Sequence, residues 1–331
     1  MTRFAATPLL EVRHLSKRYT VGSAFARGGR HTLQAVDDVS FQVWPGETLG
    51  LVGESGCGKS TLARCLVRLH EVSDGQLLFE GRDITHLGTR ALRPLRPQLQ
   101  MVFQDADASL NPRRRIGELI AEPLRVHTAM SAAERRARVE ELASLVGLRP
   151  DPLQRFPHEF SGGQRQRIGI ARALALNPRF IVADEPVSAL DVSVQAQVIN
   201  LLADLQERLG LTYLFIAHDL GVVRQVSTRT AVMYLGSIVE MGPADALFDR
   251  PAHPYTAALI AAVPRPEVPA LGAPRTTAAP QGDPPSPLNP PPGCRFHPHC
   301  PAATDLCRKD RPALREFGGA RMVACHHPLP I

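Results

Sequence analysis

Gly53-Glu54-Ser55-Gly56-Cys57-Gly58-Lys59-Ser60-Thr61 is the stretch on which the fold turns. It fits G-x-x-x-x-G-K-[ST], and its surroundings are the ones that pattern needs. Leu49 to Gly53 reads as a short buried strand running into the loop. Beyond the loop, Leu62, Cys65, Leu66 and Leu69 fall on one face of a helix at spacings of three and four. Glycines there let backbone N–H groups turn inward around phosphate oxygens, and the start of the helix adds positive potential. Lys59 can reach the β and γ phosphates, and the Ser60 hydroxyl can ligate Mg²⁺. The pattern implies a nucleoside triphosphate as ligand.

Outward from the loop, strand-like and helix-like patterns alternate over the first 250 residues, which predicts an α/β domain. Val39, Phe41 and Val43 alternate as in a half-buried strand, and Phe180 to Ala183 and Tyr213 to Ala217 read as fully buried parallel strands. Helices are predicted at Val139, Leu142 and Val146, and at Val198, Leu201, Leu202, Leu205 and Leu209, the latter closed by Gly210. Ala231–Leu235 and Ile238–Met241 flank Gly236-Ser237, read as a two-residue hairpin turn.

The chain has 331 residues, 44% of them apolar, which excludes a wholly disordered protein. A net charge of +6 without any block of five or six like charges gives no footing for a nucleic-acid partner. No run reaches the ~18 apolar residues of a spanning helix. Met1 to Pro8 lacks the apolar centre of a secretory signal, so a soluble, cytoplasmic chain is the expectation. From Pro264 to Pro292 the composition turns to Pro, Ala, Gly and Thr, the mark of a stiff extended linker. Four of the six cysteines lie beyond it, which in a reducing compartment points to metal chemistry before disulfides.

Two further motifs carry chemistry. Phe180-Ile-Val-Ala-Asp184-Glu185 is an apolar strand ending in two acids; Asp184 would hold Mg²⁺ through water, and Glu185 is placed to polarise an attacking water. Phe160-Ser161-Gly162-Gly163-Gln164-Arg165 opens a helical pattern at Ile168, Ala171 and Leu174, and a Ser-Gly-Gly helix start exposes free N–H groups. Together with the loop at 53–61, these motifs resemble the ATP-binding cassette (ABC) family, whose signature is Leu-Ser-Gly-Gly-Gln; here Phe160 replaces the leucine. The resemblance covers about three quarters of the chain.

That likeness implies a P-loop NTPase of the ABC cassette type, with a RecA-like core, an antiparallel β subdomain and a helical subdomain, plus a small Cys-rich C-terminal extension. The boundaries follow as 1–262 for the cassette, 263–292 for the Pro-rich linker and 293–331 for the extension. It implies that Tyr19 stacks on adenine, that Gln104 touches Mg²⁺ and senses the transport partner, and that His218 contacts the γ phosphate. It also assigns Ser188-Ala189-Leu190-Asp191 to the loop crossing to a second cassette. The ATP set is then Tyr19, Gly53, Ser55 to Thr61 (Ser55, Gly56, Cys57, Gly58, Lys59, Ser60, Thr61) and Gln104, with Mg²⁺ on Ser60, Gln104 and Asp184, and Glu185 and His218 catalytic. Ser161, Gly162, Gly163 and Gln164 would serve the partner's nucleotide, in a head-to-tail pair made with a paralogue or a second copy.

Three local features resemble the ATPase subunits of bacterial di- and oligopeptide importers. They are Gln104 to Pro112, His253-Pro254-Tyr255-Thr256 with the residues to Val263, and the Cys tail. The longer gap from Val21 to Gln34 resembles one of the two paired subunits more than the other. Such a subunit works with a second ATPase subunit, two membrane permease subunits and an extracytoplasmic peptide-binding protein, peripheral to the cytoplasmic face of the inner membrane. Other importers, of metal chelates or other small solutes, and a non-transport ABC ATPase are the competing readings. Spacings of x5, x6 and x17 among Cys294, Cys300, Cys307 and Cys325 make a poor zinc ribbon. Four thiolates can satisfy a [4Fe–4S] cluster, which related subunits carry there; Zn²⁺ completed by His297, His299, His326 or His327 is the alternative.

Overall fold

Five parallel strands form the centre of the main sheet because each is buried along nearly its whole length. A computed structural model describes residues 7–22, 30–149, 151–263 and 285–331. In it the strands β1 (Leu10–Val21), β2 (His31–Val43), β3 (Thr48–Val52), β4 (Asp74–Phe79), β5 (Arg82–Asp83), β6 (Leu99–Val102), β7 (Phe180–Asp184), β8 (Thr212–Ile216), β9 (Arg229–Tyr234), β10 (Ser237–Pro243), β11 (Arg315–Glu316) and β12 (Met322–Val323) make two sheets. The larger has the order β11-β12-β10-β9-β3-β8-β7-β6, with β9, β3, β8, β7 and β6 parallel. The smaller, β2-β1-β4-β5, is antiparallel.

The strand period of two divides the apolar side chains between two cores. Ile181 and Phe215 face the helices Ile116–His127, Ala132–Leu145 and Gly162–Leu174, whereas Phe180, Val182, Leu214 and Ile216 face the antiparallel sheet and helix Lys59–Leu66. Burying a side chain such as Phe180, fully enclosed here, contributes about 1.5–3 kcal/mol. Because β3, β8, β7 and β6 run parallel as neighbours, their carboxyl ends share one edge, where doubly covered sheets hold their ligands. That edge delivers the loop at 53–58, His218, Asp184-Glu185 and Gln104 to one place.

Local chemistry ends each helix where the sequence says it should, with three exceptions. Ser131 and Glu134 form a reciprocal capping box before Ala132–Leu145, and Gly210 closes Val192–Leu209 in the left-handed conformation. Leu69, however, lies beyond the end of its helix at Leu66 and is half exposed, and Leu209 is exposed as well. Both sit past the last turn that packs on the sheet, so their periodicity continues without a core to meet. The hairpin turn is shifted by one residue: Ser237 pairs with Tyr234, so Leu235 and Gly236 form the turn, at φ 41° and 86°. A two-residue turn of this hand needs two positive φ angles, and placing Gly236 second forces Leu235 into the first.

The tail is joined to the cassette through the sheet. β12 pairs antiparallel with β10 at Glu240↔Val323 and Met241↔Met322, and β11 folds back on β12. Arg321 donates to the Ala246 and Arg250 carbonyls. Arg295 donates to the Leu235 carbonyl and to Asp37, which also receives Arg311 Nη1 at 2.7 Å. Of the linker, residues 264–284 lie outside the described residues, as do residues 23–29 of the Val21–Gln34 gap. No helix among the described residues is long and apolar enough to cross a membrane.

Candidate active site

The loop between β3 and helix Lys59–Leu66 is shaped by glycines that cannot be replaced. Gly53 has φ 153° and a Cβ there would strike the Met233 carbonyl; Gly58 has φ 109° and would strike the Ala35 carbonyl. Both close approaches seat the loop against β9 and β2. Lys59 is buried, its Nζ donating to the carbonyls of Gly53 at 2.7 Å and Glu54 at 2.8 Å. The loop is also held from outside: Glu54 N donates to Tyr255 Oη at 3.1 Å, and Gly236 N donates to the Cys57 carbonyl at 2.8 Å.

A cavity of about 270 Å³ opens over this loop, lined by Ser55 to Thr61, Gln104, Glu185 and Tyr19 among others. Tyr19 Oη lies 2.6 Å from His70 Nδ1, and Lys17 Nζ sits 4.8 Å above the Tyr19 ring, so the aromatic is fixed from two sides. Gly53 lies under the loop and Asp184 behind Ser60, whose Oγ donates to Asp184 Oδ1 at 3.0 Å. Burial raises the Asp184 carboxyl above its ordinary value, and the Ser60 hydrogen bond works against that. Ser60 and Asp184 are hard oxygen donors, the kind Mg²⁺ takes.

Glu185 takes a left-handed backbone, φ 46°, uncommon for a residue with a side chain. This bend turns its carboxylate back over the strand end. Its Oε2 accepts from Gln104 Nε2 at 2.8 Å and lies 3.6 Å from His218 Nδ1. Three residues from three strand ends thus meet at the mouth of the cavity, where a water attacking a γ phosphate would stand.

Ser161 to Gln164 do not line this cavity. Ser161 caps helix Gly162–Leu174: its Oγ accepts from Gln164 N at 3.4 Å, and its own N–H donates to Gln164 Oε1 at 3.0 Å. The capping box explains why serine and glutamine stand three apart, and it leaves the first N–H groups of the helix unclaimed. Asp191 begins helix Val192–Leu209 without a side-chain cap, and the next residue, Val192, is 81% exposed.

The four tail cysteines, with His297, His326 and His327, line one small cavity around Phe296. All are free thiols. Burial raises the Cys294 and Cys300 thiols and pushes Cys325 up to about 11, and the charges of neighbouring thiolates add to each shift. Among the described residues, no three Cys, His, Asp or Glu side chains reach metal-holding geometry, so the thiols are gathered without being closed. The histidines are bonded to oxygen: His297 Nδ1 to the Cys294 carbonyl, His326 Nε2 to the Asp310 carbonyl and His327 Nε2 to Thr304 Oγ1, each at 2.9 Å.

Sequence reasoning does not foresee Asp37, Arg295, Arg311 or the Tyr255–Glu54 hydrogen bond. Each belongs to contacts between segments far apart in the chain, and no spacing rule reports them.

A model described as ABC transporter matches residues 36–188, and one described as the oligopeptide/dipeptide transporter C-terminal region matches residues 239–307. The chain is 50% identical to the oligopeptide transport ATP-binding protein AppF of Bacillus subtilis (strain 168), over 98% of this chain and 99% of that one. It is also 50% identical to the di/tripeptide transport ATP-binding protein DppF of Pseudomonas aeruginosa (strain UCBPP-PA14), over 96% and 97%. Among solved structures, the dimeric ABC cassette MJ0796, in a post-hydrolysis state bound to ADP and Pi, matches with a TM-score of 0.64 at 29% identity, over 71% of this chain and 98% of that one. A second, cbiO1 from Clostridium perfringens, matches with a TM-score of 0.64 at 26% identity, over 73% and 91%. The chain belongs to the ATP-binding proteins of ABC transporters, in the oligopeptide/dipeptide transporter family. Its fold is the ABC cassette, and its chemistry is ATP hydrolysis coupled to transport.

Proposed function

We propose that this chain energises uptake of di- and oligopeptides through separate membrane subunits, by closing two cassettes head to tail on ATP. One observation carries the reading. The cavity holds every group needed for the loop side of a triphosphate, while Ser161 and its glycines stand outside it with free N–H groups. Hydrolysis needs donors on the γ phosphate opposite Lys59. A second cassette, whether a copy or a paralogue, supplies them in trans.

In this reading the loop at 53–61 cradles the phosphates and Tyr19 stacks on the base. Ser60, Gln104 and Asp184 hold Mg²⁺, which offsets charge on the β and γ phosphates. Glu185 accepts the proton of the attacking water, Gln104 and His218 position it, and Asp191 faces the partner. Domain limits at 262 and 292 fit this division, with the linker and the 293–331 extension as additions to the cassette.

Two membrane permease subunits would dock on the helical side of each chain, on the cytoplasmic face of the inner membrane, with an extracytoplasmic binding protein delivering cargo. A groove of about 310 Å³ between helices Ile116–His127 and Ala132–Leu145 supports this, edged by Arg115, Glu118, Arg135 and Glu140. The segment after Gln104 is tied to the signature helix by Arg165 Nε to Asp107 Oδ1 at 2.7 Å and by Arg172 Nη1 to the Ser109 carbonyl at 2.8 Å. Movement in the groove therefore has a path to Ser161. Deleting the chain in its host should abolish growth on a di- or tripeptide as the sole source of a required amino acid, and re-expression should restore it. Unchanged uptake of every peptide tested, with loss of uptake of another solute, would reassign the cargo.

Cys294, Cys300, Cys307 and Cys325 would hold a [4Fe–4S] cluster, whose chemistry is a soft four-thiolate bridge across the tail. Four free thiols around one cavity support this over a His-completed Zn²⁺ site, since three nearby histidines already have oxygen partners. An anaerobic preparation should be brown with visible iron–sulfur absorbance, lost in Cys300→Ser. A colourless protein carrying stoichiometric zinc would reverse the assignment.

A further inference from the structure

The two ends of the nucleotide cavity are built from different parts of the chain. The phosphate end is the loop at 53–61 with Gln104 and Glu185. Tyr19, Leu33, Gln34, Ala35 and Gly236 line the other end, together with Pro287, a residue from the far side of the linker. Pairing of β1 with β2 places Tyr19 opposite Leu33 and Arg18 opposite Gln34, so the aromatic and these residues share one end of the cavity. Among the described residues lining that end, Pro287 alone comes from outside the cassette.

Its position is fixed by charge and hydrogen bonds. Eight residues on, Arg295 donates to the Leu235 carbonyl and to Asp37. Arg311 donates to Asp37 Oδ2 at 2.7 Å and to Ser237 Oγ at 2.9 Å. Asp37 N in turn donates to the Gly236 carbonyl at 2.8 Å. Asp37 is buried and Arg295 nearly so, which makes the clamp resistant to solvent screening. The segment entering the tail is therefore anchored to the same turn and strand that form the base end of the cavity.

We propose that Pro287 is a nucleotide-contacting residue, forming with Tyr19 the subsite for the base of the triphosphate. The inference rests on the cavity being the ATP site, and it adds a wall supplied from outside the cassette. A proline suits such a wall, because it offers an apolar ring to a π face, carries no competing donor and has little backbone freedom to lose on binding.

Two probes separate the ends of the site. Titration calorimetry on the full chain, with Mg²⁺, would measure ATP and inorganic tripolyphosphate, which lacks the base. Pro287→Asp should weaken ATP at least about fivefold, in the range of losing one base contact, while tripolyphosphate binds as to the unmodified chain. Unchanged ATP affinity would overturn the proposal, and so would equal weakening of both probes, which would mark a change in the fold. Lys59→Ala separates the underlying reading: it should weaken both probes, and no effect on either would show that the cavity is not the triphosphate site.

Discussion

Replacing Glu185 by Gln should lower ATP turnover about 10²–10⁴-fold, the span of a removed general base, while ATP-bound pairs of chains accumulate. The substitution is close to isosteric. The amide can keep the contact with Gln104 Nε2, now 2.8 Å from the carboxylate, and the left-handed backbone at φ 46° is no harder for Gln than for Glu. What goes is the capacity to take a proton from water. Because the cavity, Lys59 and Ser60 are untouched, ATP binding and pairing survive and the closed state has no exit by hydrolysis. Phosphate release together with size-exclusion chromatography in ATP would measure both effects. Undiminished phosphate release would dismiss Glu185 as the base; lost turnover without pairing would dismiss the head-to-tail arrangement.

Tyr255→Ala should cost about 3–5 kcal/mol of stability, as for other fully buried aromatics. Tyr255 is completely buried. Its ring lies 4.5 Å from that of Tyr234 and 5.4 Å from that of Phe296, and its hydroxyl accepts from Glu54 N. Truncation therefore empties the joint between the nucleotide loop, β9 and the tail at once. Tyr255→Phe keeps the ring and orphans only Glu54 N, a loss of about 1 kcal/mol. Urea unfolding of both variants distinguishes packing from hydrogen bonding. Equal losses would mean the ring carries little of the effect, and a loss below that of a surface change in Tyr255→Ala would deny the joint altogether.

Much of the architecture is readable because the deciding residues are contiguous. Phe180 to Ala183 and Tyr213 to Ala217 carry their apolar character in unbroken runs, and each chemical group lies within a few residues of a strand end. Parallel pairing of those strands then brings Lys59, Gln104, Glu185 and His218 together without further information. The turn at Leu235-Gly236 falls one residue earlier than its glycine suggests, because glycine fits either position of such a turn and pairing with β9 alone decides. Leu69 follows the helical period yet meets no core, since period reports a face and says nothing of what covers it. Asp37 and Arg295 stand 258 residues apart. Nothing local in either marks the other, and the pair becomes visible only once the sheet has placed the Leu235 turn between them.

The pairing of β12 on β10 has a consequence for how the chain matures. Until β12 arrives, β10 is an edge with open backbone groups, a template for any passing strand. β10 leaves the ribosome well before β12 does, with the remaining helices, the linker and most of the tail still to be made. A nascent cassette can assemble its phosphate loop and central strands early, but its sheet stays unfinished at one border until near the end of translation. Truncated or stalled products would therefore be sticky in a specific way, through β10, and chaperone protection during synthesis should concentrate there.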